Sequence, residues 1–298
     1  MKPTVAVAVP AYNEEANIAH LIHDIVVQVA DTFTLREIII ASDGSTDETV
    51  AKARSIGDPR VTVIDNSDNQ GVAARTNQMF AHATSDILVL LNADTAIVDP
   101  RFIEKVIAPI AAGRADLTSA ALHEVVPDTV IERVLHTSMK IKEQVFLHMN
   151  DGRNLYTCHG PVRAFSKRLY KNITITLGVG DDAFCYLYAV KNGYGYEYVP
   201  ETGVVYKLPS TFGDHKSQSH RFFRSQELLA QEFGEDVVKR EYRIPLPIAL
   251  KYVLLYAMQK PFDVIAYAAV IAYLKVAPRH TESTQRWAAS KSSKLIRI

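Results

Sequence analysis

Residues 87–91, ILVLL, are five consecutive apolar residues that read as a buried strand, and the run stops abruptly at Asn92-Ala93-Asp94. A carboxylate at a strand end, with an amide two residues before it on the same face, can offer oxygen ligands to a hard cation. Mg2+ or Mn2+ held there would bridge to a substrate diphosphate. A turn-capping Asp fits the same residues. Pro10, Tyr12 and Glu14 follow the first apolar run, and Asp43 follows the second. An aromatic ring beside carboxylates from two strand ends suits a nucleobase, with the carboxylates accepting from ring N–H and ribose hydroxyls. Two helix N-caps and a surface tyrosine are the alternative. Arg75 lies one turn past Gly71, where it either faces phosphate or completes an ion pair.

These residues need a scaffold that brings strand ends together. The first half alternates: strands are expected at 4–9, 35–41, 61–65 and 87–91, and helices at 14–30, 46–56, 72–83 and 100–112. Strands separated by helical stretches of about a dozen residues imply βαβ units and an α/β fold with a mostly parallel sheet. Ligands of such sheets bind beyond the carboxyl ends of the strands, where the polar clusters fall. In the second half a strand is expected at 160–165, a helix at 181–192, short strands at 196–199 and 204–207, and a helix at 215–233.

Two apolar stretches follow, 244–258 and 262–277. Each is shorter than the ~20 residues of a spanning helix. Lys251, Lys260 and Lys275 flank rows that include Tyr252, Tyr256, Tyr267 and Tyr273, a composition suited to a membrane surface. Core helices packed on the α/β domain are the alternative. The polar, basic tail 278–298 is expected to be loosely ordered.

With 298 residues, 48% of them hydrophobic, the chain can build one large core with an appendage. Thirty-three basic residues balance 33 acidic ones, which argues against a nucleic-acid partner. Cys158 and Cys185 are the only cysteines, too few for a zinc site or a disulfide framework. The N-terminus lacks the long apolar stretch of a signal peptide, so a cytoplasmic location is expected. No Gly-x-Gly-x-x-Gly follows the first strand and no Walker loop is present, against a dinucleotide-dependent dehydrogenase or a P-loop enzyme.

VPAYNEEANI, ASDGSTDET, DNQGVAARTNQ and LLNADT, in that order and spacing, resemble the family 2 glycosyltransferases and their GT-A fold. The likeness continues through GDDAFCYLYAVKNGYGYEYVPE at 180–201, which resembles the segment carrying that family's general base. QSHRF at 218–222 resembles the Gln-x-x-Arg-Trp motif, and QRWAASKSSK at 285–294 resembles a tail found after membrane-associated segments. It is close over residues 3 to about 225 and looser beyond.

The resemblance implies that Pro10, Tyr12, Glu14, Asp43, Arg75, Asn92 and Ala93 bind the donor, and that Asp94 is the metal residue of an Asp-x-Asp motif. Asn92 stands where that motif has its first Asp, so one carboxylate fewer is available. Asp182 would be the catalytic base, with Asp181 on the acceptor side where Glu is frequent; helix N-capping is the plainer role for this pair. CHGPVRAF at 158–165 resembles an acceptor-side loop, which places His159 and Gly160 near the acceptor. Gln218, Arg221 and Phe222 would contact the diphosphate or the acceptor, with Phe222 in place of the usual Trp.

The implied activity is inverting transfer of a sugar from a nucleoside diphosphate, UDP by resemblance, to a hydroxyl of a lipid, lipid-linked or polysaccharide acceptor, aided by Mn2+ or Mg2+. Residues 1–212 would form the catalytic domain, and 213–298 a helical region lying on the membrane surface through 244–277. A non-catalytic sugar-nucleotide binder and a nucleotidyltransferase on a similar sheet are the rival functions.

Overall fold

A computed structural model describes residues 1–276. Residue 277, the basic tail and the 285–294 motif lie outside the described residues. In chain order the elements are β1 (Thr4–Ala11), α1 (Ile18–Val26), β2 (Thr34–Asp43), α2 (Thr49–Ser55), β3 (Val61–Asn66), α3 (Val72–His82), β4 (Ile87–Leu91), β5 (Thr95–Ala96) and α4 (Phe102–Ala111). Then come β6 (Leu117–Glu124), α5 (Val130–Leu147), β7 (Val162–Ser166), α6 (Lys167–Tyr170), α7 (Asp181–Lys191), β8 (Tyr196–Tyr206), α8 (Phe212–Phe233), α9 (Glu235–Glu241), α10 (Leu246–Gln259) and α11 (Pro261–Val276).

Eight strands form one sheet in the order β3-β2-β1-β4-β7-β6-β8-β5. β1, β2, β3 and β4 are mutually parallel. β7 runs antiparallel to both β4 and β6, so β6 and its parallel neighbour β8 share the direction of the first four. The carboxyl ends of six strands, and the start of β7, therefore lie along a single edge.

Alternation along the central strands explains why both faces are covered. Val5, Val7 and Val9 of β1 and Val89 and Leu91 of β4 pack with α1 and α4 on one face. Ala6, Ala8, Leu88 and Leu90 point the other way, toward α3, α7, α8 and α9. Leu229 and Phe233 of α8 and Val238 of α9 belong to that second core, so the helix carrying Gln218 and Arg221 is anchored in the catalytic body.

The structure corrects several expected bounds. The first helix begins at Ile18 rather than 14, because residues 12–17 are a loop that serves the strand edge. β6 and α5 were not anticipated: LTSAALHE lacks a long apolar run, and α5 has a broad polar face. The two short strands expected at 196–199 and 204–207 are one strand, β8. Pro200-Glu201-Thr202 reads as a turn but is a bulge: Val199 pairs with Ala120, and Gly203 is the next residue in register, opposite Ala121. A Cβ at Gly203 would sit 2.2 Å from the Ala121 carbonyl oxygen, so glycine is required there.

α10 and α11 form an antiparallel hairpin against α5. Tyr252 of α10 packs with Val145 and Met149. Asp263 of α11, buried in this apolar hairpin, accepts from Thr137 Oγ1 at 3.0 Å and Arg133 Nε at 3.2 Å. Among the described residues no helix is long and apolar enough to cross a membrane.

Candidate active site

The loops after β1 and β2 interlock. Asn13, in the left-handed region at φ 53°, accepts the Thr46 N–H through Oδ1 at 2.8 Å and donates its own N–H to Ser45 Oγ at 3.1 Å. Asparagine tolerates that backbone better than most residues. The Glu14 N–H donates to Thr49 Oγ1 at 2.7 Å, and the buried Glu14 carboxylate accepts from Asn17 Nδ2 at 3.1 Å. Pro10 lies within β1, and Tyr12, half-buried, stands just past its end.

Asp43 has no exposed surface. It accepts the N–H groups of Gln70 and Gly71, each at 2.9 Å, and Arg75 Nε at 2.6 Å. Arg75 also donates to the Asp68 carbonyl at 2.9 Å and carboxylate at 3.1 Å. The guanidinium, 4% exposed, thus completes an ion pair, of the two roles its sequence position left open. It clamps the loop after β3 onto the end of β2. Gly44, at φ 72°, lets that loop approach: a Cβ there would lie 2.9 Å from the Asp68 carbonyl carbon.

Asn92 follows β4 directly, and its N–H donates to the Pro161 carbonyl at 3.0 Å. The Thr95 hydroxyl donates back to the Asn92 carbonyl at 2.7 Å, closing the turn that carries buried Ala93 and half-buried Asp94. Gly160 is the residue before Pro161, and a Cβ on it would lie 3.5 Å from Asp182 Oδ2. Through one backbone hydrogen bond, Asn92 to Pro161, and the close approach of the Asp182 carboxylate to Gly160, the structure brings the Asn92–Asp94 turn and the head of α7 to the same stretch of edge.

At that head the two carboxylates have different surroundings. Asp181 accepts from the guanidinium of Arg163, a β7 residue with no exposed surface. Asp182 Oδ1 accepts the Ala183 N–H at 2.7 Å. Burial, and then the negative charge of Asp181, raise the Asp182 pKa above the usual carboxylate value. That raises its proton affinity, as a base requires. His159, held by its N–H on Ser119 Oγ at 3.0 Å, has its pKa lowered to about 4 by burial, so it is a neutral imidazole at pH 7.

α8 closes the other side. Ser225 Oγ accepts the Gly180 N–H at 2.6 Å, tying the helix to the residue that caps Asp181 and Asp182. Arg221 lies four residues earlier on the same helical face. Arg221 keeps exposed surface, while desolvation by the surrounding protein pushes its pKa down. Gln218 sits one turn further back. Phe222 packs edge-on against Tyr242 at 5.7 Å, and Tyr242 in turn against Tyr156 at 5.9 Å. Burial and the nearby Asp182 charge raise the Tyr242 pKa.

Arg163, Ser225, Ser119 and Asn13 carry much of this architecture and were missed as site residues. A lone arginine inside the apolar VRAF segment was the one available signal for Arg163; Ser225 had none beyond its spacing from Arg221.

Among the described residues no three His, Cys, Asp or Glu side chains group to hold a metal ion. Mg2+ and its like use one or two carboxylates, several waters and the substrate's phosphates. One carboxylate, Asp94, in the turn that Asn92 opens, fits that open pattern.

A mixed sheet with six strand ends on one edge, covered by helices on both faces, is the α/β class of protein that binds ligands beyond its strand ends. The family model described as Glycosyl transferase family 2 matches residues 6–174, and the chain belongs to that family. A 4,4'-diaponeurosporenoate glycosyltransferase of Staphylococcus aureus is 28% identical over 172 residues, 56% of this chain and 45% of that protein. The chain thus spans under half the length of that relative. The fold is GT-A: it is similar to a mannosyltransferase from Pyrobaculum calidifontis in complex with GDP-Man and Mn2+, at TM-score 0.60 and 21% identity, covering 93% of this chain and 76% of that one. It is also similar to glucosyl-3-phosphoglycerate synthase from Mycobacterium tuberculosis in complex with Mn2+, UDP and glucosyl-3-phosphoglycerate, at TM-score 0.55 and 17% identity, over 78% of this chain and 80% of that one.

Proposed function

We propose that the chain is an inverting glycosyltransferase that moves a sugar from a nucleoside-diphosphate donor, UDP-linked, to an acceptor hydroxyl on a lipid, lipid-linked or polysaccharide substrate. The observation that carries this is Asp182: a carboxylate of raised proton affinity, set against side-chain-free Gly160, on the edge that also holds Asn92 and Asp94. Family membership supports glycosyl transfer, and the GDP-Man and UDP complexes of the two similar structures support a nucleoside-diphosphate donor.

Tyr12 stacks on the base, and Pro10, Glu14 and Asp43 shape the pocket for base and ribose, with Arg75 holding Asp43 in place. Asp94, with Asn92 and Ala93 in its turn, would hold Mn2+ or Mg2+, which supplies positive charge to the departing diphosphate. Arg221 and Gln218 face the same charge from α8, with Phe222 fixing the helix. Asp182 takes the proton of the acceptor hydroxyl as its oxygen bonds to the sugar carbon. The bond from that carbon to the diphosphate oxygen breaks, and the nucleoside diphosphate leaves. A single displacement inverts the carbon. Asp181, paired with Arg163, and His159, uncharged, line the acceptor side next to Gly160. Residues 1–212 carry this chemistry, while 213–298 adds Arg221 and, through α10 and α11, an exposed apolar face for a membrane surface.

The test is a screen of nucleotide-sugars for hydrolysis and transfer with Mn2+. Turnover of one donor that Asp182→Asn abolishes supports transfer. Donor binding with no turnover by any acceptor or water would instead make the protein a sugar-nucleotide binder.

A further inference from the structure

A cavity of about 250 Å³ lies between α5, α10 and α11, outside the site described above. Its wall is mostly hydrocarbon: Ile141, Val145 and Phe146 from α5, Ala249 and Val253 from α10, and Ala268 from α11. The volume is below the ~300–1,000 Å³ of a pocket for a whole small ligand, which suits part of a chain. Leu250, Leu254, Met258, Phe262 and Ile265, on the same two helices, are exposed. The helices that wall the cavity thus also carry exposed apolar side chains.

The uncompensated charges around it are of one sign. The one carboxylate in the wall, Asp263, is already taken up by Arg133 and Thr137. Lys142 lines the cavity, with its ammonium 5.2 Å from the Tyr267 ring centre. Lys216 of α8 sits 5.6 Å from the Tyr273 ring centre. Neither lysine has a carboxylate partner among the described residues. Lys142 acts on His215 of α8, whose pKa burial and then that positive charge lower to about 4. The cationic end of the cavity is therefore the end toward α8, where Gln218 is one turn beyond His215. From the cavity wall, Phe146 stacks on Tyr156 at 4.4 Å, and Tyr156 meets Tyr242, whose pKa burial and then the Asp182 charge raise.

We propose that this cavity holds the hydrocarbon chain of an amphiphilic acceptor with an anionic polar end, which Lys142 and Lys216 draw toward α8 and the catalytic edge. The site rests on the glycosyltransferase function proposed above and names the acceptor's chemistry. An unpaired ammonium over an aromatic ring, beside an apolar slot, complements an anionic head on an alkyl chain; a neutral glycan would use neither feature.

Octyl, nonyl and decyl phosphate, kept below their micelle concentrations, are titrated into the full chain by calorimetry, with 1-octanol and 1-decanol as uncharged comparators. UDP with Mn2+ is titrated into the same samples. Saturable one-to-one binding is expected, about fourfold tighter per added methylene. Ala268→Phe and Ala249→Phe, which fill the slot from two helices, should each weaken decyl phosphate more than tenfold while UDP binding is unchanged. Lys142→Met should reduce the preference for decyl phosphate over 1-decanol. No dependence on chain length, or undiminished binding in both filled variants, overturns the proposal. So does binding to lipid vesicles without any binding of monomeric alkyl phosphate, which would leave the face a bilayer-docking surface only. Decyl phosphate binding that emerges only when residues 277–298 are removed would make that segment the occupant, and likewise overturns it. Loss of UDP binding in the unmodified chain is a different failure, that of the glycosyltransferase function itself.

Discussion

Arg163, with no exposed surface, donates its guanidinium to Asp181, the residue immediately before the proposed base. Of two adjacent carboxylates, one is thereby held in an ion pair and the other left to handle a proton. Arg163→Met removes one partner of a buried pair, which costs about 3–5 kcal/mol, nearer the lower figure because Asp181 keeps some water contact. Thermal melting should show the loss. The Arg163 charge also lowers the Asp182 pKa against burial, so the acid limb of the pH–rate profile should move to higher pH. A pH profile superimposable on that of the unmodified protein would separate Arg163 from the chemistry.

Asp182→Asn should lower turnover about 10²–10⁴-fold with donor binding intact. It should also raise Tm at pH 7. Burial and the Asp181 charge raise the Asp182 pKa on folding, from the ordinary 3.8. Between that value and the raised one the folded chain holds a proton that the unfolded chain has released. Stability therefore falls as pH rises through this window, and the ionised carboxylate destabilises the fold above it. Asparagine removes the effect, so the gain in Tm should vanish below pH 3.8. Paired melts at acid and neutral pH check it.

Asp94→Ala should abolish the dependence of UDP affinity on Mn2+, and EDTA should mimic the substitution in the unmodified protein. Calorimetry with and without the metal reads both. Full turnover in EDTA would remove the metal from the mechanism.

Ser225→Ala deletes the acceptor of the Gly180 N–H, at a cost of about 1–3 kcal/mol if the group is left unpaired. Since Ser225 ties α8 to the head of α7, kcat should fall more than donor affinity. Arg221→Lys should do the same, because a planar guanidinium grips phosphate oxygens as lysine cannot. Arg224→Lys should leave both parameters near their starting values. Steady-state kinetics on the three variants decides, and equal effects at positions 221 and 224 would deny Arg221 a special role.

Met258→Glu together with Phe262→Glu places two charges on the exposed apolar face of α10 and α11, where these side chains are 77% and 84% exposed. Fold stability should change little, while co-sedimentation with anionic lipid vesicles should drop several-fold. Unchanged co-sedimentation would discount this face as a membrane contact.

The parallel half of the sheet and the family were legible in the amino-acid order alone. Apolar runs of strand length alternating with helix-length segments leave few topologies, and the polar clusters fall at strand ends because that is where a βαβ chain must turn. Asp43, Asn92, Asp94 and Asp182 could be singled out from that placement and from the motifs around them. What each carboxylate touches came from long-range packing. Asp43 and Arg75 are 32 residues apart and Arg163 and Asp181 are 18 apart, and no local pattern says which charges will share a buried pair. β6 stayed hidden because sheet partners on both sides, rather than its own composition, make LTSAALHE a strand. Helix α8 could be read from the sequence, but its grip on Gly180 through Ser225 could not. A serine's partner depends on which backbone N–H the packing leaves unpaired.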